Sequence, residues 1–347
     1  MNTNSEYFKR LRPEIQDFLT HMVFSPNDDK NIQFHLDKNE NPYDLEFTRF
    51  SNTSQEVLKK RIAEWRQIHV AQIFISNGIL QSVDFLLRLF CRSKHDRIQV
   101  LLPSDIDIER LATLNDIQVE RYDRIEQLNP YCKLTYISNP NPIHGEALEW
   151  EQISTIASTI NGLVMVNESL MDFSSLGSAL PHLEQHENLV LLHSFDHALG
   201  GAGLNLGLVY ANPSLIEILE SMDIPHSINQ LSQEAALMRL DELEDIYGLI
   251  REVQRNRNIL SNELKLLSFI KKVYSSQANF LLIQVEEVKR LEQFLLSNGI
   301  RVMNCSSIKN YKDCLRITIG SPEENHYLLQ QLIQFDSNKR GPKVTQL

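Results

Sequence analysis

The residues best equipped for chemistry lie in one stretch, HSFDHALGGAGLNLG, residues 193–207. It sets Ser194, Asp196 and His197 ahead of glycines at 200, 201, 203 and 207. An imidazole titrates near neutral pH, so His197 has the chemistry of a general base. A serine, an aspartate and a histidine this close suggest a hydrolytic triad, but neighbours in sequence seldom point at each other and no partner aspartate can be identified. His193 and His197 have the four-residue spacing of metal ligands on a helix. Here, however, LVLLHSF reads as a strand end followed by a turn, which is the wrong geometry. The glycines permit tight turns and close packing of helix on sheet whatever the chemistry. DIDIE, residues 105–109, alternates like a calcium loop but lacks the glycine and distal glutamate, so it reads as the polar start of a helix.

The elements that must position these residues follow from apolar runs. IFIS, IQVLLP, LTYISNP, LVMVNES, LVLLHSF and LGLVYAN alternate with helical stretches such as ILQSVDFLLRLF between about residues 70 and 212. Continuous Val/Ile/Leu character marks strands buried on both faces of a mainly parallel sheet, and such α/β sheets bind ligands at the carboxyl ends of their strands. The proline-free segment from 229 to 265 predicts one long, bent linking helix. After it, NFLLIQV, EVKRLEQFLLSNG, CLRITIG and PEENHYLLQQLIQF predict a small α+β unit. The expected division is an N-terminal arm or small-domain segment (1–35), a large α/β domain (36–240), a small C-terminal α+β domain (241–335) and a flexible tail (336–347).

Composition narrows the partners. The net charge is −11, with no basic cluster interleaved with aromatics, which argues against nucleic acid. No apolar run approaches a membrane span, and the N-terminus reads as polar and amphipathic, so a cytoplasmic setting is expected. Four scattered cysteines lack ligand or redox spacing and read as reduced thiols, with no metal site.

The order of motifs resembles the fold-type I aminotransferases that use pyridoxal 5′-phosphate (PLP), and within them histidinol-phosphate aminotransferase. The likeness runs through LDKNENPY (36–43), ISNG (75–78), SNPNPIHG (138–145), VNES (166–169), HSFDHALGGAGLNLGLVYANP (193–213), INQLSQEAAL (228–237) and CLRITIGSPEEN (314–325). The resemblance implies a PLP-transferase fold with helices on both faces of the sheet. It also implies a homodimer whose site lies at the subunit boundary.

What the resemblance assigns to individual positions departs from the family repeatedly. The family's SKAFGLAGLRLG aligns without gaps on DHALGGAGLNLG, which puts His197 in place of the lysine that forms the Schiff base. No lysine occurs between Lys133 and Lys265, so a shifted alignment does not restore it. Of the phosphate contacts, Ser194 is kept, Asp196 replaces a serine and Asn205 replaces an arginine, while Asn77 and Gly78 lead into a helix start. Asn167 stands for the aspartate that pairs with the pyridine nitrogen, Leu170 for a tyrosine and Pro142 for the asparagine facing the phenolic oxygen, with Asn141 beside it. Retained are Arg316, which in the family grips the substrate carboxylate, and Asn39 and Tyr43, whose segment approaches the partner's site.

These departures lead to the expectation of a protein of aminotransferase descent, without classical PLP transamination, that binds or assembles. A small anionic or amino-acid ligand near Arg316 fits that expectation. No covalently bound cofactor is expected; non-covalent binding is the one mode left open to PLP or its pyridoxamine form (PMP). The alternative is a PLP- or PMP-dependent enzyme, a transaminase or a dehydratase with His197 as base. Pairing with a lysine-bearing aminotransferase relative, which would receive Tyr43, is a further arrangement consistent with the sequence. Arg316 also has a purely structural reading as a buried arginine.

Overall fold

The computed structural model describes residues 5–21, 36, 39–43, 49–51 and 55–340. Seven strands, β1 (Ile73–Ser76), β2 (Arg97–Leu101), β3 (Gln118–Tyr122), β4 (Leu134–Ser138), β5 (Leu163–Asn167), β6 (Leu189–Ser194) and β7 (Gly207–Tyr210), form one sheet in the order β1-β7-β6-β5-β4-β2-β3. β3, β2, β4, β5 and β6 pair in parallel, and β7 runs antiparallel to both β6 and β1. β1, β4, β6 and β7 are buried at every residue, as their unbroken apolar character requires.

Helices cover both faces. Eleven helices are described: α1 (Glu6–Arg10), α2 (Pro13–His21), α3 (Glu56–Arg66), α4 (Ile79–Phe90), α5 (Ile106–Leu114), α6 (Trp150–Thr159), α7 (Pro213–Met222), α8 (Gln230–Asp241), α9 (Leu243–Leu264), α10 (Val288–Ser297) and α11 (Pro322–Arg340). Leu58 and Ile62 of α3, Ile153 of α6 and Leu240 of α8 pack on the face carrying Val164 and Leu191. Leu86 of α4, Ile108 of α5 and Leu215 of α7 pack on the opposite face, against Met165 and Val190. Neighbouring residues of β5 and β6 thus feed different cores, as the two-residue period of a strand demands.

A second, antiparallel sheet of β8 (Ile270–Val273), β9 (Phe280–Val285), β10 (Met303–Asn304) and β11 (Cys314–Thr318) has the order β10-β11-β9-β8 and its own core under α9, α10 and α11. α9 joins the two cores: Ile246 and Ile250 pack in the first, Leu260 and Leu264 in the second. Its 22 residues span about 33 Å at 1.5 Å per residue. The buried Arg257 on α9 donates to the carbonyls of Phe173 (3.1 Å) and Ala278 (2.6 Å), bonding it to the large sheet's loops and to the second sheet.

Three boundaries differ from the expectations. The linking segment is two helices, interrupted at Glu242; Ala236 and Leu240 before the break and Ile246 and Ile250 after it all pack in the first core. Tyr7 and Phe8 of α1 and Leu19 of α2 are buried in the large sheet's core, so this part of the expected arm is a packed element of the large unit. α11 continues to Arg340, five residues into the expected tail, with Phe335 and Asp336 buried. Residues 341–347, 1–4 and 22–35 lie outside the described residues, as do Asp37 and Lys38 of the LDKNENPY motif. Among the described residues no helix is long and apolar enough to cross a membrane, and no group of metal-ligating side chains assembles.

Candidate functional site

Two adjoining cavities open at the carboxyl ends of the parallel strands. The smaller, about 310 Å³, is lined by Asp105, Asp107, Asn167, Asp196 and His197 together with Tyr136, Ser138 and several apolar side chains. The larger, about 740 Å³, separates the two sheets and is lined among others by His144, Lys309, Tyr311 and Arg316. Asp105, Asp107 and Pro142 line both.

His197 stands three residues past the end of β6, exposed at the smaller cavity. Surrounding protein pulls its pKa below the ordinary histidine value; Asp196 and Asp105 oppose that shift and Arg316 adds to it. The shift favours the neutral imidazole near neutral pH. Asp196 moves the other way: burial raises its pKa, against the attraction of His197 and a bond with Ser194. Its Oδ1 is buried with no hydrogen-bond partner. Ser194 is fully buried, and its Oγ accepts from the Asp196 amide at 3.3 Å.

The helix start after β1 is closed by side chains of the chain itself. Gly78 has φ +84°, and a Cβ there would lie 2.5 Å from Asn205 Oδ1. Asn205, itself left-handed at φ 51°, reaches across to donate to Asn77 Oδ1 at 3.2 Å. Gln81 Oε1 accepts from the Asn77 amide at 2.6 Å. A glycine is also required at 207, where a Cβ would meet Ile79 N at 2.7 Å, so β7 and the start of α4 touch through their backbones. Two neutral side chains, Asn205 and Gln81, thus bond to Asn77 directly ahead of the helix start.

Asn167, at the end of β5, is held from both ends. Its Oδ1 accepts from Ser169 N (3.0 Å) and Ser169 Oγ, and its Nδ2 donates to the Tyr136 hydroxyl at 2.9 Å. Tyr136 in turn donates to Asp105 Oδ2 at 3.0 Å, where Ser138 also donates at 2.9 Å. Sequence reasoning placed Asp105 at the start of a helix, and it is the N-cap residue of α5, but its carboxylate makes no cap bond and takes these two hydroxyls instead. It follows β2 by four residues, so the rule that ligands bind at strand carboxyl ends was a usable signal for it.

The remaining expected site residues are dispersed. Arg316 on β11 lines the larger cavity, donates to the Pro142 carbonyl and lies 4.9 Å over the Phe280 ring. Part of its role is thus structural. Asn141 does not line either cavity; its side chain is spent on Pro103 O (2.8 Å) and Ile143 N (3.0 Å), an internal turn. Asn39 and Tyr43 are exposed, Tyr43 to 75%, and line neither cavity of this chain. His193 is buried and its Nε2 is engaged by Arg66 and Asp172, so that nitrogen is not free to join His197 as a metal ligand. All four cysteines are free and buried.

The comparisons agree with this architecture. The model of the family "Aminotransferase class I and II" matches residues 40–332. A histidinol-phosphate aminotransferase of Christiangramia forsetii is 34% identical over 314 residues, 87% of this chain and 89% of that protein. The crystal structure of the histidinol-phosphate aminotransferase from Clostridium acetobutylicum superposes with a TM-score of 0.75 at 19% identity, covering 84% of this chain and 91% of that one. That of the Sinorhizobium meliloti enzyme in complex with pyridoxal-5′-phosphate gives 0.74 at 16% identity, covering 83% of each chain. With its site at the strand ends, its sheet order and its motifs in register over most of its length, this chain belongs to the class I and II aminotransferase family.

Proposed function

We propose that this protein has left lysine-dependent transamination and uses its cleft for binding. The observation that carries the reading is the absence of any lysine from residue 134 to 264, with an imidazole, His197, where the resemblance to the family puts the covalent bond. An imidazole cannot form the imine that the chemistry needs.

The rest of the cleft supports it. PLP brings a phosphate dianion and a pyridine ring, and the residues present do not fit it. The smaller cavity has three carboxylates, Asp105, Asp107 and Asp196, and neither lysine nor arginine in its lining. Two like charges 4 Å apart repel by about 4 kcal/mol at an effective dielectric near 20. Asn205 and Gln81 occupy the helix start, and both ends of the Asn167 amide are engaged. A small anionic or amino-acid ligand instead finds Arg316 in the larger cavity.

The test is incubation with equimolar PLP, followed by absorbance spectra, borohydride reduction and peptide mapping. We expect no chromophore beyond the free aldehyde and no fixed adduct in the cleft. Stoichiometric binding at micromolar concentration would overturn the proposal. The neutral state of His197 favours one rival, a PMP-dependent reaction with that imidazole as base. Under the rival, PMP binds saturably and His197→Ala abolishes turnover.

The same proposal includes a homodimer in the cytosol. Exposed Asn39 and Tyr43 support a shared subunit boundary, and four unpaired thiols support a reducing compartment. Light scattering at micromolar concentration should give twice the chain mass; a monomer, or a constant partner from the aminotransferase family, would refute the homodimer.

A further inference from the structure

We propose that Asp105 is the specificity-determining residue of the cleft: its carboxylate sets the charge the smaller cavity admits and excludes phosphate-bearing ligands from it. The inference rests on the reading that the cleft no longer takes PLP. It goes further by naming what keeps PLP out apart from the missing amine.

Asp105 is placed for this by bonds that hold the carboxylate in the cavity. Tyr136 and Ser138 lie two residues apart on β4, so both side chains emerge on the same side of the sheet. Both hydroxyls donate to one oxygen, Asp105 Oδ2, at 3.0 and 2.9 Å. The Tyr136 hydroxyl also accepts from Asn167 Nδ2 at 2.9 Å, so the carboxylate is one hydroxyl away from the residue at the pyridine-nitrogen position. Hydroxyls order a carboxylate without neutralising it. Its neighbour Asp107 pairs with Arg110 at 2.7 Å, and Asp105 has no comparable cation among its described bonds. The buried, unpartnered Oδ1 of Asp196 adds to the same field.

This arrangement separates two obstacles that the sequence alone merges. The loss of the lysine removes a covalent bond. The Asp105 carboxylate removes the electrostatic welcome, and it does so whether or not a lysine is present. Restoring the amine by itself therefore leaves the cavity closed to a dianion.

The experiment compares the wild type, Asp105→Asn, His197→Lys and the double variant His197→Lys/Asp105→Asn, each titrated with PLP. Affinity is read by calorimetry and the imine by absorbance, then fixed with borohydride and mapped to the peptide containing position 197. Asn keeps an oxygen for Tyr136 and Ser138 and removes the charge; Asp105→Ser serves as a second variant should Asn perturb folding, which the thermal transition reports. We expect Asp105→Asn to raise PLP affinity roughly 10- to 100-fold in both backgrounds. We also expect the imine to form readily only in the double variant. If His197→Lys alone binds PLP as tightly as the double variant, with a fold-change near one in both backgrounds, the inference is wrong while the proposed function stands. If the wild type binds PLP tightly, the proposed function and this inference fall together.

Discussion

Asp172→Ala is expected to destabilise the protein by about 3–5 kcal/mol, measured as a shift of the urea unfolding midpoint at pH 7. Asp172 sits just after β5 in the turn Met171–Phe173 and meets Arg66, the last residue of α3, through two bonds of 3.1 and 3.3 Å. Its Oδ2 also lies 2.7 Å from His193 Nε2 on β6. The side chains of Arg66 and Asp172 are only 13% and 14% exposed, so solvent screens the pair weakly. Burial alone would raise the Asp172 pKa, but the charges and bonds of His193 and Arg66 outweigh it and hold the carboxyl well below the usual range. Deleting the carboxylate leaves a guanidinium that cannot shed its proton, stacked 3.6 Å over the Trp65 ring and without its counter-charge. The penalty is that of a stranded charge and does not measure the worth of the pair. Arg66→Met combined with Asp172→Leu should therefore recover most of the loss. A single variant as stable as the wild type would show that water reaches Arg66. The sign with pH follows from the depressed folded-state pKa: the contribution is present above the unfolded value near 4 and lost as pH falls below it.

What the sequence revealed and what it hid divide along the line between local and cross-chain causes. Buried strands declare themselves, because a strand covered on both faces is apolar at each position. The two-faced sheet and the His197 loop were legible for that reason. β3 was not: Gln118–Tyr122 carries Glu120 and Arg121, as suits an edge strand that must discourage further pairing, and so has no apolar run. That position 197 is a histidine, and that no lysine lies between Lys133 and Lys265, can be read directly from the chain. The use of Asn141 did not follow from its motif, because Pro103, 38 residues earlier, supplies the carbonyl that claims it.

Asp105 makes the same point for the site. Its type and its place before α5 suggest a helix cap, and local logic stops there. Its direction is decided by Tyr136 and Ser138, 31 and 33 residues later, through the parallel pairing of β2 with β4. A carboxylate that leaves a helix start uncapped to face a cavity departs from local preference, and departures of that kind concentrate at functional sites. The cleft's charge is thus a property of strand order, which one sequence read alone cannot supply.

Glu168→Gln is expected to raise stability by about 3 kcal/mol at pH 8 and to change it little at pH 4. Glu168 follows β5 directly and is 3% exposed. Its carboxylate accepts from the Ala179 amide at 2.8 Å and from the Ser178 hydroxyl. Burial nevertheless raises its pKa from 4.5 to about 7; those two bonds and Arg66 oppose the rise, and Asp172 adds to it. A raised folded-state pKa means that the folded protein holds a proton the unfolded chain has released. The stabilisation is complete below pH 4.5 and is lost as pH rises through about 7. The difference of about 2.5 units, 7 minus 4.5, corresponds to about 3 kcal/mol that ionised Glu168 withdraws at pH 8. Glutamine reproduces the protonated form at every pH. His193 acts in the opposite sense: burial first, and the Arg66 charge second, lower its pKa, so its contribution is present above 6.5 and lost as pH falls below that value. In the wild type the two trends oppose each other through the mildly acidic range and flatten the profile. Removing the Glu168 titration should expose the His193 limb, giving stability that rises with pH through the acidic range and levels above about pH 7. Parallel wild-type and variant profiles from pH 4 to pH 9 would show that Glu168 does not titrate in this window, and that water reaches the end of β5.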